Sequence, residues 1–380
     1  MFYKYYLKAK RSWEKNIPDL LGLIGEYPRF VTSRSEYELF NELPVFCFHS
    51  VTKDRFEEQL AFLSRNLYRT LDTGEAAHVL LPGQKILPRS VVLTFDDGRK
   101  CLWKVAHPLL KKYKLKAVCF ISPGLICDSN DSPDNDPLVS WDEVIEMHKE
   151  GTVDFQSHTR LHSLIPAGPK IIDYIRPGLD LQFRNTELPI MRFNGEDAEE
   201  RNALPGMPVY ESSPRMAGRL RYYDNENLRS ALIDHVNKSG GHDFFLKANW
   251  RKELNNLSAD LKKSILQDAY ETEEQRSEAI MNELVSSREI IERRLPGKKV
   301  MHLCYPWFIG SDLSVALSKK AGYLSNYWGI LKGRKTNRPG DDLYHITRVP
   351  EDYLFRLPGK GRKTLSACLK EKIYYLKRVC

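Results

Sequence analysis

The sequence predicts an α/β fold, a distorted (β/α)7-like barrel interrupted by one inserted subdomain. Three observations lead to it. Short apolar runs at 44–49, 91–95, 117–122, 152–157, 300–305, 323–328 and 344–349 alternate with segments of helical period, the pattern that builds parallel sheets. No Gly-rich phosphate loop follows the first strand, which favours a barrel over an open nucleotide-binding sheet. From about 165 to 272 the alternation stops for longer than a connection between barrel elements should run.

In chain order, residues 1–40 form an amino-terminal extension, Tyr/Lys-rich at first and helix-like over Pro18–Ile24. The barrel occupies 41–164 and 273–350, the insertion 165–272, and a basic carboxyl-terminal tail 351–380. At 380 residues and 42% apolar content, the chain can bury a core of that size. The first strand, within Pro44–Val51, ends on His49. Thr52–Tyr68 then repeats Phe56, Leu60, Leu63 and Leu67 at helical spacing, with Asp54, Glu57 and Glu58 in its first turn. After the second strand, Leu102, Val105, Ala106, Leu109 and Leu110 share one face of a helix over Cys101–Tyr113. Ser140 is placed as an N-cap, with Asp142 and Glu143 behind it, and the helix runs towards Gly151. In the insertion, Asn225–Lys238 and Ser258–Tyr270 read as helices around an Arg/Tyr-rich centre comprising Arg215, Arg219, Arg221, Tyr222 and Tyr223. That centre suits a substrate-selecting lid and a peripheral elaboration equally. Glu274–Leu295 and Ser311–Lys320 are the last barrel helices, and Ile373, Tyr374 and Leu376 suggest a docking helix in the tail.

The stretch that organises the chain is Val91-Val92-Leu93-Thr94-Phe95-Asp96-Asp97-Gly98. A buried strand that stops at two carboxylates delivers charge at its carboxyl end, where barrels place their active sites. Residues leaving a strand point in different directions, so one acid can bind a metal while the other handles a proton. The plain alternative is an Asp-Asp-Gly turn. Some sixty residues on, the strand Thr152–Ser157 runs into His158 and His162. Their spacing of four places both imidazoles on one face of a helical turn, suited to gripping one ion. One carboxylate and two imidazoles leave coordination positions open, which is a hydrolytic pattern rather than a closed structural one.

Thr94-Phe95-Asp96-Asp97-Gly98 and His158-Thr159-Arg160-Leu161-His162 together resemble the first two motifs of the polysaccharide deacetylases, the NodB-like carbohydrate esterase family 4. The resemblance implies a distorted barrel, a divalent ion held by Asp97, His158 and His162, and Asp96 as general base. The ion could be Zn²⁺, the first choice, or Co²⁺, Ni²⁺ or Fe²⁺, all of which accept this ligand set. The Phe-His end of the first strand is similar to a subset of the family that includes poly-N-acetylglucosamine deacetylases. In that subset the barrel is circularly permuted, which would make His49 the general acid for the leaving amine. Cys304-Tyr305-Pro306-Trp307-Phe308 is similar to the third motif, with Cys, Trp and Phe where Ala, Tyr and Gly are usual. By resemblance the Trp307 N–H stabilises the oxyanion, Tyr305 and Trp307 wall the sugar site beside Pro306, and Arg348 braces Asp96.

The activity so implied is removal of an acetyl group from an N-acetylated sugar in a polysaccharide, oligosaccharide or glycan precursor. Two alternatives stay open: an amide or imide hydrolase for a small metabolite, and a catalytically silent glycan-binding member. The net charge of +8 gathers in both tails and reads first as a solvated lysine-rich surface. It also suits weak attraction to an anionic membrane face or a phosphorylated carrier. No nucleic-acid-binding pattern accompanies it. Neither a run of roughly 18 apolar residues nor a secretory h-region is present, so no membrane span or signal is expected. Seven cysteines without CxxC spacing, mostly in apolar runs, point to reduced core thiols and a cytoplasmic location.

Overall fold

The computed structural model describes residues 25–128, 137–178, 188–193, 196–197, 204–263 and 269–376. The Pro18–Ile24 segment and most of the polar loop 128–137 lie outside them. The main sheet contains β1 (Val45–Phe48), β2 (Arg69–Thr70), β3 (Ser90–Asp96), β4 (Ala117–Ile121) and β5 (Val153–Ser157), then β12 (His302–Cys304), β13 (Ser325–Tyr327) and β14 (Val349–Pro350). Its order is β13-β12-β5-β4-β3-β1-β14, with β2 beside β3, and every pairing is parallel. A parallel bridge from Tyr327 to Ile346 sets the segment before β14 against β13, so the sheet curls almost into a ring. The seven expected runs all lie in this sheet. The two-residue β2 adds an eighth strand that no apolar run announced.

The strands read as continuous apolar runs because both faces are buried. Successive side chains alternate between two cores. Phe46, Phe48, Val91, Leu93, Phe95, Cys119 and Phe155 face outward, under the helices Lys53–Arg65, His107–Tyr113, Trp141–Lys149 and Glu273–Arg294. Val45, Val92, Val118, Phe120, Cys304 and Tyr327 face the interior. This phase also fixes the polar positions: Thr94 and Asp96 share the interior parity of Val92.

Several helices start where cap chemistry places them. Ser140 accepts from Glu143 N while the Glu143 side chain accepts from Ser140 N, and Thr272 with Gln275 repeats the box. The helix expected over Cys101–Tyr113 is two pieces, a π-helical turn at Leu102–Ala106 and an α-helix at His107–Tyr113 whose second residue is Pro108. Proline lacks the N–H that a continuous α ladder needs there. The strand expected at 344–349 is interrupted. Asp342 accepts from Tyr344 N at 3.0 Å and lies 2.6 Å from His345 Nδ1, turning Leu343–His345 into a 3-10 turn before pairing resumes at Ile346.

Residues 164–270 build two small apolar clusters separate from the barrel's. One contains Leu228, Leu232, Val236, Phe244 and Leu254, and the other Ile175, Met191, Met207, Tyr210 and Tyr222. The long β6 (Leu164–Tyr174) pairs antiparallel with β9 (Pro208–Pro214), and short pairs β7 (Arg192–Phe193) with β8 (Glu196–Asp197) and β10 (Tyr222–Tyr223) with β11 (Ala269–Tyr270) complete the segment. The helix Asn225–Lys238 is present as Glu226–Lys238, capped by Asn225. The second helix is Trp250–Lys262 rather than Ser258–Tyr270. Trp250, Leu254, Leu257 and Leu261 carry its apolar stripe, while Ala269 and Tyr270 are drawn into a strand pair. Three described arginines of this region serve the segment itself. Arg215 pairs with Glu271, Arg229 holds Asp224, and Arg221 donates to the Ile190 carbonyl.

Both ends of the described chain pack on the barrel. Tyr27, Phe30 and Val31 join the main core, as do Tyr353, Leu354, Phe355 and Leu357, so the basic tail does not begin at 351. Arg356 donates to the Val31 carbonyl and ties the two ends together. The expected tail helix exists at Leu365–Leu376, but it buries Cys368, while Ile373 and Tyr374 face outward at 57% and 48% exposure. No described helix is long and apolar enough to cross a membrane.

At the amino-terminal end of the strands, the interior is polar. Gln156 accepts from His302 N, and His302 Nδ1 lies 2.7 Å from Ser325 Oγ. Burial pushes the His302 pKa down to about 4, with Asp154 opposing and Lys298 adding. The folded chain therefore keeps this imidazole neutral where the unfolded chain, at about 6.5, takes a proton. The contribution is whole above about pH 6.5 and is lost as pH falls towards 4. We expect urea unfolding to show up to about 3 kcal/mol of such loss across that window, and His302→Gln to remove it. An unchanged pH slope in the variant would contradict the assignment.

Candidate active site

The site is assembled at the carboxyl ends of β1, β3, β5 and β12. β3 carries Asp96 as its last residue, buried at 1% exposure. The next residue, Asp97, leaves the strand with φ +71°, and Gly98 follows at φ +70°. Two consecutive left-handed residues swing the second carboxylate away from the first, which is how neighbours in sequence come to face different partners. A Cβ at Gly98 would lie 3.0 Å from Ile121 Cγ2, so glycine is required by space as well as by φ. Gly98→Ala is expected to cost about 1–2 kcal/mol in chemical denaturation, the left-handed penalty alone. A cost near zero would show that the turn relaxes freely.

Asp96 points into the barrel and meets Arg348. Arg348 Nη1 donates to Oδ1 at 2.7 Å and Nη2 to Oδ2 at 2.8 Å, a bidentate pair. The same guanidinium donates to Thr94 Oγ1, to the Trp328 carbonyl and to Cys304 Sγ, so its charge is enclosed and fully engaged. Burial alone would raise the Asp96 pKa, but the charge and hydrogen bonds of Arg348, with His158 and His49, together outweigh it and hold the carboxyl well below the usual carboxylate range. His49 stands at the open side, its side chain 32% exposed and Nε2 3.9 Å from Asp96 Oδ2.

Asp97 faces the two histidines. Its Oδ1 lies 3.6 Å from His158 Nε2 and 3.5 Å from His162 Nε2. Arg99 donates from Nε and Nη2 to Oδ2 and from Nη1 to Ser50 Oγ. Burial opposes ionisation of Asp97, yet His49, His162 and Arg99 bring its pKa to about 2. Burial, with His158 beside it, pushes His162 down to about 3.

The two imidazoles do not sit on a helical turn, contrary to what their spacing suggested. His158–Ser163 is an irregular loop in which Thr159 and His162 are left-handed, at φ 65° and 49°, and this brings the rings to 4.9 Å. Glu283 holds the loop from outside. It accepts from Leu161 N and Ser163 Oγ, both at 3.0 Å, and its carbonyl accepts from Arg160 N. Ser122 Oγ donates to the His158 carbonyl. His158 Nδ1 lies 2.8 Å from the Cys304 carbonyl and donates its proton there, which leaves the Nε2 lone pair aimed at Asp97.

Among the described residues, three sets of metal-capable side chains have ligand atoms within 4.8 Å of one another, and all three are here. The set Asp97, His158 and His162 fits a catalytic ion. It offers one oxygen and two neutral imidazole nitrogens, His158 is oriented through its other nitrogen, and open positions remain.

The third motif is only partly in the site. Trp307 is half-buried with its ring 4.1 Å from that of His162, and Phe308 sets its ring 5.9 Å from His49 and 5.2 Å from the Arg348 guanidinium carbon. Both backbones are left-handed, at φ 53° and 61°. Tyr305, expected to wall the sugar site, is instead wholly buried in the outer core. Its hydroxyl accepts from Asn326 Nδ2 and its ring lies 4.5 Å from Trp328. Strand alternation is the reason: Cys304 takes the inward position, so Tyr305 must point out. Pro306 is buried as well. His345 stacks on Trp328 and pairs with Asp342, away from Asp96. Arg99 and Glu283 escaped sequence reasoning. Arg99 directly follows the acid-acid-glycine turn and could have been found there, whereas nothing local marks Glu283.

A curled parallel α/β sheet with its polar groups gathered at the strand carboxyl ends in this way defines the NodB-like class of folds. Residues 84–175 match the family model described as polysaccharide deacetylase. The poly-beta-1,6-N-acetyl-D-glucosamine N-deacetylase of Staphylococcus aureus (strain MSSA476) is 35% identical over 117 residues, 30% of this chain and 39% of that protein. The chain thus spans 39% of the length of the first curated relatives it matches. A de-N-acetylase from Aggregatibacter actinomycetemcomitans shares 19% identity across 81% of this chain and 94% of its own, with a TM-score of 0.51, a likeness of fold.

Proposed function

We propose that this chain is a metal-dependent N-deacetylase that releases acetate from an N-acetylated sugar within a polysaccharide, oligosaccharide or glycan precursor. The observation that carries the reading is the pairing of an Asp97–His158–His162 donor set with a separate, arginine-held carboxylate at Asp96. The name of the Staphylococcus aureus relative supports the sugar class. A divalent ion bound by that set, Zn²⁺ by preference, would polarise the acetyl carbonyl and lower the pKa of a water molecule.

In this reading the residues divide the proton work. Asp96 accepts the proton of the attacking water, its carboxylate fixed in direction by the two Arg348 bonds. His49, at the open side, gives a proton to the departing amine. The Trp307 N–H donates to the oxyanion as the tetrahedral centre forms. Trp307 and Phe308 border the site, so Phe308 takes the place at the sugar that Tyr305 does not fill. Buried free thiols at Cys47, Cys119, Cys304 and Cys368 favour a reducing, cytoplasmic location.

The test uses the full chain with chitooligosaccharides and poly-β-1,6-N-acetylglucosamine fragments, reading acetate and bound metal together. His162→Ala is expected to lose the ion and the activity together, and Zn²⁺ re-addition should restore neither. Full acetate release by metal-free His162→Ala would remove the reading.

A further inference from the structure

A second group of metal-capable side chains adjoins the first. Cys47 Sγ stands 3.5 Å from Asp96 Oδ2 and 3.9 Å from His49 Nδ1, and His49 Nε2 is 3.9 Å from the same Asp96 oxygen. One ligand atom from each of the three lies within 4.8 Å of the others. A tetrahedral ion with bonds of about 2.0–2.3 Å has ligand–ligand edges of roughly 3.3–3.8 Å. The two His49 distances belong to opposite ring nitrogens, so a rotation that turns one nitrogen towards both partners, with side-chain movements of about 1 Å, closes the set, and the exposed side of His49 leaves room for water as a fourth ligand.

We propose that Cys47, His49 and Asp96 form a second, weaker site for a thiophilic divalent cation such as Zn²⁺, Co²⁺ or Cd²⁺, and that filling it silences the enzyme. A thiol, an imidazole and one carboxylate select soft or borderline ions over Mg²⁺ and Ca²⁺, which require oxygen shells. On binding, a sulfur–metal bond replaces the Cys47 S–H bond and the proton leaves to solvent, while His49 ligates as neutral imidazole. The site is weak because Arg348 holds the same carboxylate, its Nη2 2.8 Å from Asp96 Oδ2, and because an ion on Asp97 stands close by. Another thiol of the region, Cys304, is the poorer ligand. Arg348 Nη2 donates to it at 2.9 Å, and the cluster that includes it needs His158, which the first site uses.

The binding part stands on geometry alone; the silencing part rests on the proposed function, since it removes the base and the acid at once. The test titrates metal-free, full-length protein with Co²⁺. Two equivalents are expected, with thiolate-to-cobalt charge-transfer absorption growing only with the second, because the first site contains no sulfur. Cys47→Ser should lose that absorption and the second equivalent while keeping the first, and Cys47→Ala should repeat the result if serine disturbs folding. Cys304→Ser should retain the absorption. A single equivalent without the band, or a band that survives Cys47→Ser, overturns the site. In acetate release, a second equivalent of Zn²⁺ should inhibit the wild type at least about a hundredfold, the scale of lost acid–base groups. Undiminished inhibition in Cys47→Ser overturns the silencing role. Cobalt titration as expected with no acetate from any N-acetyl sugar leaves the second site standing and removes the deacetylase reading.

Discussion

Asp96→Asn lowers acetate release at least about a hundredfold while leaving one divalent ion per chain, the expected result if Asp96 is the proton acceptor. Asparagine keeps the volume and one oxygen of the side chain, so the bond from Arg348 Nη1 has an acceptor, but the base is gone. The ion persists because the first donor set, Asp97, His158 and His162, does not include Asp96. The substitution also leaves the Arg348 charge without its counter-charge, so the melting transition must be recorded alongside turnover. Acetate release and metal content on the same folded sample decide the matter. Turnover within about threefold of wild type would show that another group takes the proton. Loss of the ion would show that the two carboxylates act as one ligand set.

Arg348→Met is expected to destabilise the fold by about 3–5 kcal/mol, the usual cost of stranding one partner of a buried pair. The Arg348 side chain has 0% exposure and that of Asp96 1%, so solvent cannot take over the missing charge. With the guanidinium removed, burial is opposed at Asp96 only by His158 and His49, and its pKa moves upward. The double variant Asp96→Asn with Arg348→Met replaces the ion pair by neutral groups and should recover much of the loss. Urea denaturation of the wild type, both single variants and the double variant closes the cycle. A coupling energy near zero would mean that the pair contributes direction to Asp96 but not stability.

The acid pair and the two histidines were legible because strand ends and residue types announce them locally. Their conformation was not. His158 and His162 are four apart as a helical turn would have them, yet Thr159 and His162 adopt left-handed backbone, and contacts from Glu283 and Ser122 across the fold hold that loop. Tyr305 shows the same limit. Its motif was visible, but whether it or Cys304 faces the interior depends on the phase of β12, and a shift of one residue exchanges the two faces. The helix placed at Ser258–Tyr270 failed because Ala269 and Tyr270 are claimed by Tyr222 and Tyr223, far away in sequence.

By itself, then, the sequence determined the α/β class, the run of parallel strands and the carboxylate and imidazole donors, since alternating apolar segments and strand-end polar residues are properties of short stretches. The resemblance already joined Arg348 to Asp96; only the tertiary structure decided that the two meet through both guanidinium nitrogens, that Tyr305 leaves the site to Trp307 and Phe308, and that Cys47 stands beside the proposed base. Arg348 and Asp96 lie 252 residues apart and Cys47 and Asp96 49, and such relations are set by the curl of the sheet and the phase of each strand, which no local pattern records.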